Sequence, residues 1–186
     1  MLFYAFSFIL AITLCNAQLV EKTVKAVHAF NKTCLDIAKS PKTASKCEFF
    51  RCFEDRFPCG TQYWNLRWGM RYCKKYSDPE VLSTFTPLGR KLLNQTNTCV
   101  GLQLEKTYQK DKSLKCRSFY NNAFKIQSKC YAEDPELFCK SFPENRIQFS
   151  KVTDVKDYMD SNFLSMIKGA LSKCDPPIDL FSLMSS

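Results

Sequence analysis

Apolar positions recur at helical spacing along most of this chain, and the repeats are broken by proline, glycine and capping residues. Val20, Val24, Val27, Cys34 and Ile37 share one stripe, which predicts a first helix from Gln18 to Lys39, closed by Pro41. A second helix is expected from Thr43 and carries Cys47 and Cys52. Pro58-Cys59-Gly60 is a turn signal, after which Tyr63, Leu66, Met70 and Cys73 share a face. Ser77-Asp78-Pro79 closes that segment and supplies a cap for the next. Thr86-Pro87 places proline at the start of a helix that leads through Leu88 and Leu92 to Cys99.

The clearest stripe is Cys116, Phe119, Ala123, Ile126 and Cys130. Asp134-Pro135 reads as an N-cap followed by proline at the first helical position. The stretch from Phe142-Pro143 to Phe149 reads as a loop, because Pro, Asn and Arg interrupt any period. A last helix carries Phe163, Met166, Ala170 and Cys174, and Pro176-Pro177 ends it. No apolar–polar alternation persists as in a sheet strand, and no Asn-Gly or Asp-Gly turn is present. The pattern predicts an all-α, disulfide-stapled helical bundle.

The N-terminus adds a compartment. Met1 to Leu14 is apolar and uncharged, and Cys15-Asn16-Ala17 supplies the small residues that precede a signal-peptidase cut. Residues 1–17 are therefore expected to be a signal peptide, too short to span a bilayer. Residues 18–177 are expected to form the helical domain, and 178–186 a C-terminal tail. The segment after the cut holds ten of the eleven cysteines, an even number suited to full pairing in an oxidising compartment. A secreted, extracellular protein is expected. Complete pairing would leave no thiol for an interchain bond, so the expected assembly is a monomer or a non-covalent homodimer. Trp64, Trp68, Ile178, Leu180, Phe181 and Leu183 are its candidate contacts.

Charge narrows the partners. The net charge of +9 divides into +7 for residues 18–75, +3 for 76–134 and −1 for 135–186. A basic N-terminal third suits heparan sulfate, an acidic protein or peripheral contact with a membrane surface. No run of basic residues exceeds two, the pattern of an ordinary solvated face. The compartment argues against nucleic acid.

Residues that carry chemistry are few. His28 is the only histidine and is followed by Ala29, so the His-Asp pair of helical secreted phospholipases is absent. A fully paired cysteine set leaves no thiol nucleophile for it to activate. Cys47 and Cys52 lack a second matching pair of the kind that holds zinc. No nucleophile-elbow or phosphate-loop motif occurs, and no enzyme, cofactor or metal site is expected. Asp154, Asp157 and Asp160 step by three and read as a solvated helix face, without the glycine and alternating ligands of a calcium loop. Trp64 and Trp68, one turn apart beside Arg67 and Arg71, have the composition of a partner-binding hot spot. The competing reading is that both indoles pack inward. Asn31-Lys32-Thr33 and Asn94-Gln95-Thr96 are glycosylation sequons. Asn94 is read at a solvated helix end and Asn31 mid-helix, so fuller occupancy is expected at Asn94.

The mature cysteines are separated by 12, 4, 6, 13, 25, 16, 13, 8 and 34 residues. Together with CEFFRCFEDRFPC, RYCKKY and SKCYAEDPELFC, this ladder resembles that of the stanniocalcins, a family of secreted glycoprotein hormones. The resemblance runs from about Cys34 to Asp175. It implies an all-helical homodimer acting outside cells in calcium and phosphate homeostasis. It also implies action through protein partners such as a receptor or protease, some members inhibiting a secreted metalloprotease. For pairing it implies Cys34–Cys52, Cys47–Cys73, Cys59–Cys116, Cys99–Cys130 and Cys139–Cys174. Spacing alone does not choose among the several hundred pairings open to ten cysteines, roughly nine times the 105 open to eight. Three features depart from the family. No counterpart of its last, interchain cysteine follows Cys174, no unpaired cysteine is left to bond a protease, and Glu54-Asp55-Arg56 stands where the family carries a sequon. A second function class is a secreted helical carrier holding a small apolar ligand between its helices. Such carriers use fewer cysteines and shorter chains.

Overall fold

A computed structural model describes residues 21–39 and 43–179. The expected signal peptide and most of the expected tail lie outside them. The described residues form nine α-helices, a π segment, a 3-10 turn and a two-stranded ribbon, an all-α fold stapled by disulfides.

The N-terminal stripe does not form the expected helix. Residues Thr23–Lys25 are a strand, β1, that pairs antiparallel with β2 (Ser113–Lys115), Val24 lying opposite Leu114. Both of these apolar side chains are buried, whereas Val27 stands outside the core at 63% exposure. Asn31 is the N-cap of α1 (Lys32–Ala38), its side-chain oxygen accepting the Thr33 amide hydrogen at 2.9 Å. The helix therefore starts at Lys32, and residues 21–31 ahead of it are strand and loop.

Helix α2 (Thr43–Arg56) supplies the aromatic centre. Phe49, Phe50, Phe53 and, just past its end, Phe57 are all buried, on one arc at helical spacing. Phe53 stacks on Phe119 with ring centroids 4.9 Å apart. The turn after α2 uses Gly60 at φ +106°, a conformation costly for any side chain with a Cβ. Glu54 accepts the Gly60 amide hydrogen at 2.5 Å and so ties that turn back to α2.

A π segment (Asn65–Met70) then runs into α3 (Arg71–Ser77). Its wider turn brings Asn65, Trp68, Gly69 and Met70 inward together, more residues than one α-helical stripe holds. Asp78 caps α4 (Pro79–Ser83), and Thr86 caps the long α5 (Pro87–Lys110), each with proline in its first turn as expected. Helix α6 (Cys116–Tyr131) buries Cys116, Phe119, Tyr120, Ala123, Phe124 and Cys130. Asp134 caps α7 (Pro135–Glu144).

The loop expected from Phe142 to Phe149 is helical instead. Pro143 lies in the last turn of α7, and α8 (Arg146–Val152) follows after one residue. Asn145 makes this break possible. Fully buried, it donates to the Ser141 carbonyl at 2.7 Å and to the Thr86 hydroxyl at 2.9 Å, and accepts the Thr86 amide hydrogen at 2.8 Å. The end of α7 is thereby bonded to the start of α5. A 3-10 turn (Val155–Met159) leads to α9 (Ser161–Leu171), which ends before Cys174, so that this cysteine lies beyond the last helix.

Five bridges link these elements: Cys34–Cys52, Cys47–Cys73, Cys59–Cys116, Cys99–Cys130 and Cys139–Cys174. Their Cα separations run from 5.5 to 5.9 Å, within the range a disulfide spans. The set is the one the stanniocalcin resemblance implies. No described helix is long and apolar enough to cross a membrane.

Candidate functional site

The Trp/Arg set is where the structure departs furthest from the expected partner surface. Trp64 and Trp68 are only 1% and 3% exposed. Trp64 meets the rings of Phe50, Phe119 and Phe124 edge-on, and Trp68 stacks between Tyr72 and Phe163. The Trp68 indole N–H donates to the Tyr120 hydroxyl at 3.0 Å. Both indoles are core, so neither offers a surface to a partner or a second copy.

Arg67 and Arg71 are half-buried and are committed within the chain. Both guanidinium groups reach Asp157, each at 3.3 Å, and Arg71 also pairs with Asp154. The Tyr72 hydroxyl donates to Asp157 and accepts the Asp154 amide hydrogen at 3.2 Å. Lys75 donates to the Val152 carbonyl at 2.8 Å and to Asp154 at 2.9 Å. Tyr120 donates to Asp160, whose other oxygen caps α9.

The three aspartates are therefore not a solvated helix face. Asp154 and Asp160 flank the 3-10 turn, and Asp157 within it has no exposed surface. A buried carboxylate is tolerable only when paired and hydrogen-bonded, and two arginines and a phenol do this for Asp157. Burial, with the Asp157 bond and charge behind it, pushes the Tyr72 phenol well above its ordinary range. Burial and Asp160 do the same to Tyr120. The cluster works as a clasp closing 152–160 onto α3. No group of three His, Cys, Asp or Glu side chains placed to hold a metal ion occurs among the described residues.

A second hub, which the sequence pattern did not single out, is Arg56. It lies buried over the rings of Phe57 and Tyr108. It donates to the Tyr108 carbonyl at 2.9 Å, the Asp111 carbonyl at 3.0 Å and the His28 carbonyl. One guanidinium thus satisfies carbonyls at the end of α5 and fixes the loop that follows β1. A lone basic residue at a helix end carries no local sign of such partners. His28 is exposed on that loop, not on a helix.

The sequons exchange places. Asn31 is an exposed cap ahead of α1, whereas Asn94, also exposed, lies within α5, its side-chain oxygen accepting from the Lys46 ammonium at 3.2 Å. A pocket of about 40 Å³ lies beside Trp64, Thr96 and Asn97. The Trp64 indole N–H, the Thr96 hydroxyl and the Asn97 amide nitrogen are buried there with no hydrogen-bond partner in the structure. It has room for one or two water molecules and is far below the roughly 300–1,000 Å³ of pockets that enclose a ligand. Of the expected contact residues in the tail, Ile178 packs against the core and Leu180, Phe181 and Leu183 lie outside the described residues. Comparison with known protein families, curated proteins and solved structures finds no match for the chain.

Proposed function

We propose that this chain is a secreted, stanniocalcin-like regulator that acts outside cells by binding a protein partner, with control of calcium or phosphate movement as its expected physiological setting. The supporting observation is the bridge set, five pairings that follow the family ladder from Cys34 to Cys174. Ten cysteines consumed in a rigid bundle suit a molecule that works by presenting a surface in an oxidising medium. The carrier reading draws no support from the pocket beside Trp64, which is too small for a lipid. Partner contact then falls to exposed surface and not to the buried indoles.

The test is affinity capture from extracellular fluid, with unreduced protein as bait and a reduced, alkylated sample as control. A protein retained stoichiometrically by the folded bait alone is the expected result. An apolar small molecule recovered by solvent extraction, with no retained protein, would replace the regulator by the carrier. Calcium and phosphate flux across an epithelial layer, with and without added protein, tests the physiological setting.

A further inference from the structure

We propose that the two-stranded ribbon and the adjoining end of α5 form a docking surface for a sulfated glycosaminoglycan. The inference shares the extracellular setting of the regulator reading but rests on charge placement and not on the family resemblance.

Segments 21–25 and 106–117 are about ninety residues apart in sequence, and strand pairing brings them together. They carry seven cations, Lys22, Lys25, Lys106, Lys110, Lys112, Lys115 and Arg117, against two carboxylates, Glu21 and Asp111. Residues 106–117 alone hold five of the seven without two adjacent, and the pairing sets Lys22 and Lys25 beside them.

Register fixes the face. Val24 and Leu114 turn inward, while Thr23, Lys25, Ser113 and Lys115 are exposed on the opposite side. Lys25 and Lys115 stand diagonally across the ribbon, about 7–8 Å apart at their backbones. Lys112 adjoins them, its carbonyl accepting the Ala26 amide hydrogen at 2.9 Å. Lys106 and Lys110 lie one turn apart on the last turns of α5, both exposed.

These five lysines form no salt bridge among the described residues. Glu21 is used elsewhere, accepting from the Arg117 amide at 3.2 Å and the Ser118 hydroxyl at 2.9 Å at the start of α6. Lys22 is likewise engaged, donating to the Pro58 and Cys59 carbonyls. Like charges left adjacent and unpaired repel one another modestly, and a polyanion removes that repulsion.

The occupant follows from the chemistry. The ribbon face holds only lysines and small hydroxyl side chains, and it offers nothing apolar to a bilayer. Exposed Val27 and Phe30 lie on the loop beyond β1 and not between the lysines. Disulfides place the chain in an oxidising medium, where sulfated chains are the abundant polyanion, whereas anionic lipid faces the cytosol.

Heparin is the probe, with retention measured against salt concentration. Lys25→Glu, Lys112→Glu and Lys115→Glu combined are compared with Lys125→Glu, Lys129→Glu and Lys151→Glu, an equal charge change on exposed residues elsewhere. The expected result is binding at physiological ionic strength, weakened about tenfold or more by the ribbon variant and far less by the control. Helical circular dichroism checks both folds, and Lys106→Gln with Lys110→Gln replaces the ribbon variant if its fold is lost. Equal losses in the two variants would reduce the effect to net charge and overturn the proposal. So would absence of heparin binding, or binding to phosphatidylserine vesicles in place of heparin.

Discussion

A methyl group added at position 69 would stand 2.8 Å from both Phe50 Cδ1 and Trp64 Cζ3, closer than carbon atoms pack. Both rings belong to buried residues, and the small pocket they border is the one place toward which they can shift. Gly69→Ala is expected to cost about 1–3 kcal/mol of stability, read by urea unfolding without reductant. The sequons give a second prediction at this scale. Both asparagines are exposed, but Asn31 is a cap on non-helical backbone, whereas Asn94 lies mid-α5 with its side-chain oxygen accepting from the Lys46 ammonium. Occupancy by mass spectrometry is expected to be fuller at Asn31, the reverse of what the polar stretch after Asn94 implied. An occupied Asn94 beside a bare Asn31 would refute it. The same residues show what local sequence can tell. A Trp/Arg cluster has one composition whether it faces a partner or the core, and only the rings of Phe50, Phe119, Phe124 and Phe163 decide between the two.

Elements whose boundaries are set by their own residues were legible, and those set by distant partners were not. Asp78-Pro79, Thr86-Pro87 and Asp134-Pro135 each start a helix because cap and proline act within one turn. Residues 18–39 looked helical because Val20, Val24 and Val27 fit a helical period. Pairing of Val24 with Leu114 wins, and no local pattern announces it. Pro143 signalled a loop, yet its missing N–H falls in a final turn that Asn145 closes through Ser141 and Thr86. The aspartate segment shows the same long reach, with bonds spanning more than eighty residues. Asp157→Ala is expected to cost about 1–3 kcal/mol, less than for a fully buried pair because Arg67 and Arg71 are partly solvated. Amide exchange should quicken across 153–160 while α6 stays protected. Uniform acceleration throughout the chain would show that the clasp is not a local unit. Bridges differ in reach as well. Cys59–Cys116 closes 57 residues and Cys34–Cys52 only 18. Replacing the first pair by alanine should cost about 1 kcal/mol more than replacing the second, by chain entropy. An equal loss in unfolding free energy would mean that the unfolded chain is held mainly by its other bridges.

At the scale of the whole molecule, the helical class was legible because apolar spacing and caps agree over most of the chain. The proposed docking surface was legible only in part: Lys106 to Arg117 cluster in the sequence, but Lys25 joins them only when β1 meets β2. Tyrosines tie the core and the clasp into one response to alkali. Burial pushes the Tyr131 phenol up to about 12 and the Tyr76 phenol well above its ordinary value. Tyr72 and Tyr120 are also raised, by burial and by the aspartates they bond. An unfolded tyrosine ionises near pH 10, so the folded chain holds protons that the unfolded chain has lost above that value. The stabilisation is complete below about pH 10 and is lost as pH rises through the folded values. Phenolate absorbance and loss of helical circular dichroism should therefore rise together in a rapid jump to strong alkali. Freely exposed tyrosines would instead ionise near pH 10 with the helices intact. Tyr131→Phe removes one proton from this balance without touching the clasp, and it is expected to move the transition to higher pH. A transition unmoved by that change, in a variant of unaltered stability at neutral pH, would mean that Tyr131 is not among the groups that ionise on unfolding.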